Sequence, residues 1–541
     1  MRTAFRTFGT NIFITGLGVG VLATYPQIGA YGGLHGLLVY SACGAVPFLF
    51  FAALGPLIRR QMPEAFVLTE WIRYRYGVIT SLVISACTIL TIFLFMVSEL
   101  SSMRACVETL SNVPGLPVLI VEAVVVSIYT AFGGFYVSFL TDNLQVFSFI
   151  VLLVVCIIAT GCTVEIDTSK IGPSKLLLQN QLGWKLLYIL LVAIITNDMF
   201  MAGFWLRTFA AKTDRDLYIS CGLTAIIMFL ICSTLGIAGL LAVWSGLLDP
   251  ESPTFGDDSQ NALYLLMGSL PSWVSGFVLV FCVMLSSCTF DSLQSAIVST
   301  ISNDWARNRV RIIWVRVFVM AVMVPCIVVA LKGLNVLNIY LIVDVLSAAV
   351  VPVLFFGLNK VFYFITGFEI ILSIIGGIIG VFVYGTIYYG SAYDGGQLLI
   401  MYYGLYLNDW GPFGAFVAAP VCSVIGALVG LAIRDIILGV KYRKAFAVFD
   451  RPADGSPFPR PLDADLFSLK NPWYDHMPKS IRGFCMKLDY WIFVQGEASE
   501  AENNAGVIIP TTSSSDSKSL ASSNQKKGGV REEIGQLLLG T

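Results

Sequence analysis

Twelve stretches of about 20 residues are apolar enough to cross a bilayer, and that pattern leaves the chain little choice of fold. They lie near 9–30, 34–57, 80–104, 117–137, 140–162, 184–206, 217–246, 274–303, 309–331, 337–358, 368–391 and 411–437. In lipid no water satisfies an exposed peptide group, so each stretch must close its backbone hydrogen bonds internally as a helix. Only 12% of the 541 residues are charged, about half the share of a soluble domain. The fold class is therefore all-α and polytopic, with about 12 transmembrane helices. A net charge of −1 offers no basic face for nucleic acid. With two histidines, and cysteines scattered mostly through apolar segments, zinc sites, disulfide frameworks and histidine triads have no material. No nucleophile–base set stands at helix spacing, so the chain reads as a non-enzyme. The first apolar segment lacks a small-residue cleavage site and reads as a spanning helix.

Loop charges orient the bundle. Arg2, Arg6, Arg59, Arg60, Arg73, Arg75, Arg207, Lys212, Arg215, Arg307, Arg309, Arg311, Lys441, Arg443 and Lys444 all fall on one side. The opposite loops carry Glu165, Asp167, Asp249, Glu251, Asp257 and Asp258. The positive-inside rule then puts both termini in the cytoplasm. Residues 1–440 read as the membrane domain. Residues 441–541 read as a cytoplasmic tail, Pro-rich over 451–480 and Ser-, Asn-, Lys- and Glu-rich over 497–530, a composition of disordered segments that suits regulatory or trafficking partners.

Polar groups inside the spans mark where function resides. Cys288, Asp291, Ser292, Ser295 and Ser299 recur along one face of the eighth span. Two readings are open: a polar pathway through the bundle, or small-residue glue between helices. In the first span Gly16, Gly18, Gly20, Pro26 and Gly29 surround Gln27, and the spacing predicts a helix break near Ala23–Gln27. In the sixth, Thr196, Asn197 and Asp198 interrupt the run from Ile194 to Phe204. Paired breaks five spans apart are the pattern of inverted repeats, here about 9–162 and 184–358, with two added helices over 368–437. Asp142 opens the fifth span, where helix capping is the plain alternative. Asp344 lies within the tenth span, and Glu99 and Glu122 stand nearer the outer ends of theirs, within reach of solvent.

Two segments carry a family likeness. YTAFGGFYVSFLTDNLQ (129–145) and CTFDSLQSAIVSTISND (288–304) resemble signatures of the sodium:solute symporter family. LTEWIRYRYG (68–77) and LRTFAAKTDRD (206–216) are shorter echoes of its loops, and the text around 23–27 and 55–77 looks closest to the urea and polyamine permeases. The resemblance implies a leucine-transporter fold of five plus five spans. It implies a sodium site built from the carbonyls of Gly20, Ala23 and Leu285 and the side chains of Cys288 and Thr289. Cys288 departs from the family's hydroxyl, and a soft sulfur suits a hard cation poorly.

The expected function is secondary active transport of a small polar solute such as urea or a polyamine, by alternating access, with sodium or protons as the driving ion and no other cofactor. Gln27, Asn197 and Asp198 would meet the solute, and Asp142, Asp198 or Asp291 would carry a proton. A transporter-like nutrient sensor and a passive facilitator are the alternatives. By family analogy the location is the plasma membrane.

Overall fold

The computed structural model describes residues 18–61, 68–211, 213–306, 310–402, 404–405, 409–443, 446–451, 458–459 and 461, without the side chains of 131–148, 202, 206, 207, 210 and 447. The Asp142 side chain, the start of the first span and nearly all of the tail lie outside that set.

Helix α1 runs Val19–Gln61 and is two helices joined at Gly33, whose φ of 58° and ψ of −161° are non-helical. A side chain there would meet the Leu176 carbonyl, since an ideal Cβ would lie 2.2 Å from its oxygen. The Leu34 N–H donates to that same carbonyl at 2.8 Å, so the turn between spans one and two is pinned from outside. The break expected at Ala23–Gln27 is absent: those residues are helical, and Gly18 stands just outside the helix start. Pro26 is tolerated because span seven packs tightly there. Cβ atoms at Gly29 and Gly239 would fall 2.1 and 1.9 Å from the Gly236 and Pro26 carbonyl oxygens, so glycines let the two backbones touch.

Helices α2 (Leu68–Tyr76) and α3 (Val78–Ser111) follow. Helix α4, Gly115–Thr163, is continuous where two spans were expected. At 1.5 Å per residue it is about 74 Å long, more than twice a hydrocarbon core. Gly133 and Gly134 are too weak a punctuation to end a helix by themselves. After α5 (Thr168–Ser174), Asn180 caps α6 (Gln181–Phe200) by accepting from the Gly183 N–H at 2.7 Å. Met201 is extended, and α7 (Ala202–Ala210) resumes beyond it, so span six is broken as predicted, one turn past Asn197.

The remaining helices are α8 (Asp214–Trp244), α9 (Ala262–Gly268), α10 (Ser272–Thr300), α11 (Ile312–Ala330), α12 (Val336–Phe356), α13 (Gly367–Tyr389), α14 (Ala392–Leu399) and α15 (Gly411–Tyr442). A wider, π-helical turn extends α10 through Ile301–Trp305. Nine helices among the described residues are long and apolar enough to cross a membrane. The turn at Gly33 divides α1 into two lengths, one in each of the first two spans. The chain is an integral membrane protein of helices. Helix α8 lies along α1, α10 packs on α4 and α3, and α13 with α15 forms an outlying pair against α12.

Candidate functional site

The break in span six brings polar groups together at membrane depth. The Met201 N–H bonds the Asn197 and Asp198 carbonyls at 3.1 and 3.2 Å, closing the last turn of α6 and leaving both side chains beside the break. The Asn197 side chain lies beside the carboxylate of Asp344 on α12. Thr196 and Ser347 share a hydroxyl contact at 3.1 Å, and Ser347 donates to the Asp344 carbonyl at 2.9 Å. Asp344 is buried and Asp198 half-buried, close enough for each charge to act on the other. Neither forms a salt bridge with a described lysine or arginine. The Asn197 Oδ1 is buried without a hydrogen-bond partner.

Aromatic rings flank this pair. Tyr25 and Tyr40 stack with centroids 4.1 Å apart and planes 7° from parallel. Asp198 acts electrostatically on Tyr25, and Asp344 on Tyr40. Spans one, two, six and ten therefore converge on one acidic, acceptor-rich spot. Gln27 is fully buried but turned toward the loop between α8 and α9: its Nε2 donates to the Gly256 carbonyl at 3.3 Å, while its Oε1 has no partner.

Glu99 and Glu122 are buried, not solvated: 3% and 6% of each is exposed. Burial follows from neighbours on other helices, which spacing along α3 and α4 does not reveal. The Glu99 carboxylate accepts from the Val19 and Gly20 N–H groups at 2.9 and 3.3 Å, capping the start of α1. There it satisfies orphan donors and the positive end of the helix dipole. Tyr340 lies between the two acidic regions, within the fields of both Glu99 and Asp344. A carboxylate inside an apolar run was the available signal for Glu99 and Glu122.

The residues implied for sodium lie on α1 and α10. Gly20 lies against Tyr340 and Glu99, and its carbonyl accepts from the Thr24 hydroxyl at 3.1 Å. Ala23 and Leu285 are buried, and Cys288 lies within electrostatic reach of Tyr129. Thr289 is half-buried beside Cys288. The polar stripe of α10 divides. Asp291, fully buried, accepts from the Thr130 hydroxyl at 2.9 Å, and Gln294 donates to Ser127 at 2.8 Å, so this part bonds α10 to α4. Further along, Ser299 lines a small pocket together with Thr69, Thr88, Phe200, Asn303 and Asp304. There Asp304 accepts from Thr69 at 2.9 Å and from Ser85. The pocket reaches Phe200, at the foot of the break in span six.

No protein-family profile matches the chain. The chain is 51% identical over 449 residues to the spermidine transporter DUR31 of Candida albicans, covering 82% of this chain and 85% of that one. It is 29% identical over 144 residues to the probable urea active transporter 1 of Schizosaccharomyces pombe, 27% of this chain and 21% of that one. The fold resembles a Na+-coupled sialic acid symporter in its outward-open state, at a TM-score of 0.58 and 14% identity over 79% of this chain and 89% of the other. It also resembles Mhp1, a nucleobase-cation-symport-1 family transporter, in a closed conformation, at 0.50 and 12% identity over 83% and 94%. These likenesses establish the leucine-transporter type of fold, and the relatives are transporters, not enzymes. The chain belongs to the family of membrane transporters that includes the spermidine transporter of Candida albicans.

Proposed function

We propose that this secondary transporter carries a polyamine, or a similar linear polycation, by alternating access, with Asp198 and Asp344 as the cargo-binding acids. The observation that carries the reading is the acid pair itself, at a helix break and without a basic partner among the described residues. Two carboxylates removed from water are expensive unless a positive charge accompanies them. The free acceptor beside them, Asn197 Oδ1, suits a cargo rich in N–H donors. Tyr25 and Tyr40 offer ring faces that attract ammonium groups.

Glu99 argues in the same direction. In folds of this kind the N-terminus of a broken helix receives an anionic group of the solute. Here the protein's own carboxylate occupies the N-terminus of α1, which disfavours an anionic cargo there. The identity to a spermidine transporter supports the same class. The proposal extends to membership of the sodium:solute symporter family, a plasma-membrane location with both termini cytoplasmic, and coupling through sodium at Gly20, Ala23, Leu285, Cys288 and Thr289 or through protons on Asp142 or Asp291.

The test is uptake of radiolabelled spermidine, and separately of urea, by the purified protein in proteoliposomes under a sodium gradient, a proton gradient or neither. Spermidine should accumulate in the parent. D198N and D344N should each lower uptake at least tenfold, equivalent to about 1.4 kcal/mol of lost interaction. Undiminished uptake in both variants would sink the site assignment. Uptake of urea alone would sink the cargo, and binding without flux would make the protein a receptor.

A further inference from the structure

The second pair of buried carboxylates is not used by this cargo site, and its surroundings are unlike those of the first. Glu122 on α4 has both carboxylate oxygens buried with no hydrogen-bond partner. The Ser286 hydroxyl of α10 faces it without reaching hydrogen-bond geometry, and is itself fully buried and unpartnered. Tyr264, on α9, is fully buried with a free hydroxyl inside the field of Glu99. Glu99 lies within the field of Glu122. Four elements, α3, α4, α9 and α10, thus bring oxygen atoms together.

Among the described residues no positive group answers them. Arg104, the nearest arginine along α3, is spent on Glu108 at 2.8 Å and on the Leu331 carbonyl at 2.7 Å. The other titratable neighbours are Tyr129, Tyr340, Cys106 and Cys282, none of which is cationic. Because Glu99 spends its oxygens on the start of α1, the free ligand capacity is the Glu122 carboxylate and the Ser286 and Tyr264 hydroxyls. That is an all-oxygen set, which suits a small hard cation better than an extended amine.

We infer that Glu122, Ser286 and Tyr264, backed by Glu99, form a monovalent cation site, for sodium or a proton, distinct from the cargo acids Asp198 and Asp344. Loading this site supplies the countercharge for Glu122, Glu99 being answered by the N–H groups at the start of α1, while the cargo neutralises the inner pair. Each site then gains its own countercharge, and Tyr340 lies within the fields of Glu99 and Asp344. The inference takes from the proposed function only that transport is ion-coupled, and its two binding readouts need no cargo.

The experiment uses the purified full chain and E122Q, with S286A as a milder second variant, each shown to be monodisperse. Sodium is followed by 22Na+ scintillation-proximity binding, and the proton by infrared absorption of protonated carboxyl groups. Loss of most 22Na+ binding in E122Q, with weaker binding in S286A, assigns sodium. Loss of a protonated-carboxyl band in E122Q, shifted in S286A, assigns the proton. Unchanged sodium binding together with an unchanged carboxyl band overturns the site. So does a loss of spermidine affinity in E122Q that spares a shorter diamine, since the pair would then belong to the cargo. Failure of the parent to transport any polyamine defeats the proposed function and leaves these two readouts intact.

Discussion

Replacing Glu99 by glutamine probes the most specific contact in the membrane interior. The parent carboxylate accepts from the Val19 N–H at 2.9 Å and the Gly20 N–H at 3.3 Å. A glutamine keeps one acceptor oxygen and turns an NH2 group toward the other backbone donor. One buried N–H loses its partner, at about 1–3 kcal/mol. Loss of negative charge at the helix start adds about 0.3–1 kcal/mol. Relief from holding a charge out of water works the other way. The net cost is about 1–3 kcal/mol, concentrated in the first turn of α1. Alanine removes both acceptors and leaves a void, for about 2–5 kcal/mol. Hydrogen exchange by mass spectrometry on a peptide covering 18–30 reads this locally. In E99Q its amides should exchange roughly five- to 150-fold faster, and faster still in E99A, while α13 and α15 keep the parental rate. Parental exchange across that peptide in both variants would show that Glu99 does not hold the helix start.

Two further outcomes follow from backbone and packing. Gly33→Ala forces a left-handed φ of 58° on a side chain aimed at the Leu176 carbonyl, and should cost about 1–3 kcal/mol in backbone strain alone; an unchanged thermal midpoint in detergent would refute the turn. Arg75→Lys should loosen the segment after α15. The Arg75 guanidinium donates to the Phe362 and Tyr363 carbonyls at 3.0 and 3.3 Å and lies 4.2 Å from the Phe458 ring, contacts an ammonium cannot reproduce together. Limited proteolysis beyond Tyr442 should quicken severalfold, and an unaltered digestion pattern would count against this docking.

The site was partly legible before any coordinates. Asn197 and Asp198 declared themselves as polar groups in an apolar run, and span six does break beside them at Met201. The break placed at Ala23–Gln27 was not there, because proline and glycine signal a weakened helix without saying what packs on it. Close approach of span seven through Gly236 and Gly239 holds that stretch helical. Gln27 was grouped with Asn197 from its position in the sequence, yet its amide turns to Gly256, 229 residues away. Asp291, the most conspicuous acid of the stripe, proves to bond Thr130 across a helix interface.

The sequence by itself determined the membrane architecture: apolar length and the demand that every peptide group be paired in lipid leave helices as the only solution. It also determined that acids lie within the spans, and that their cost must be met somehow. Which acids meet was decided only in three dimensions. Asp198 finds Asp344, and Glu99 finds both Glu122 and the start of α1, across sequence separations that no periodicity spans. Electrostatic energy depends on distance through space and on the water excluded between charges, and both are set by how the helices pack.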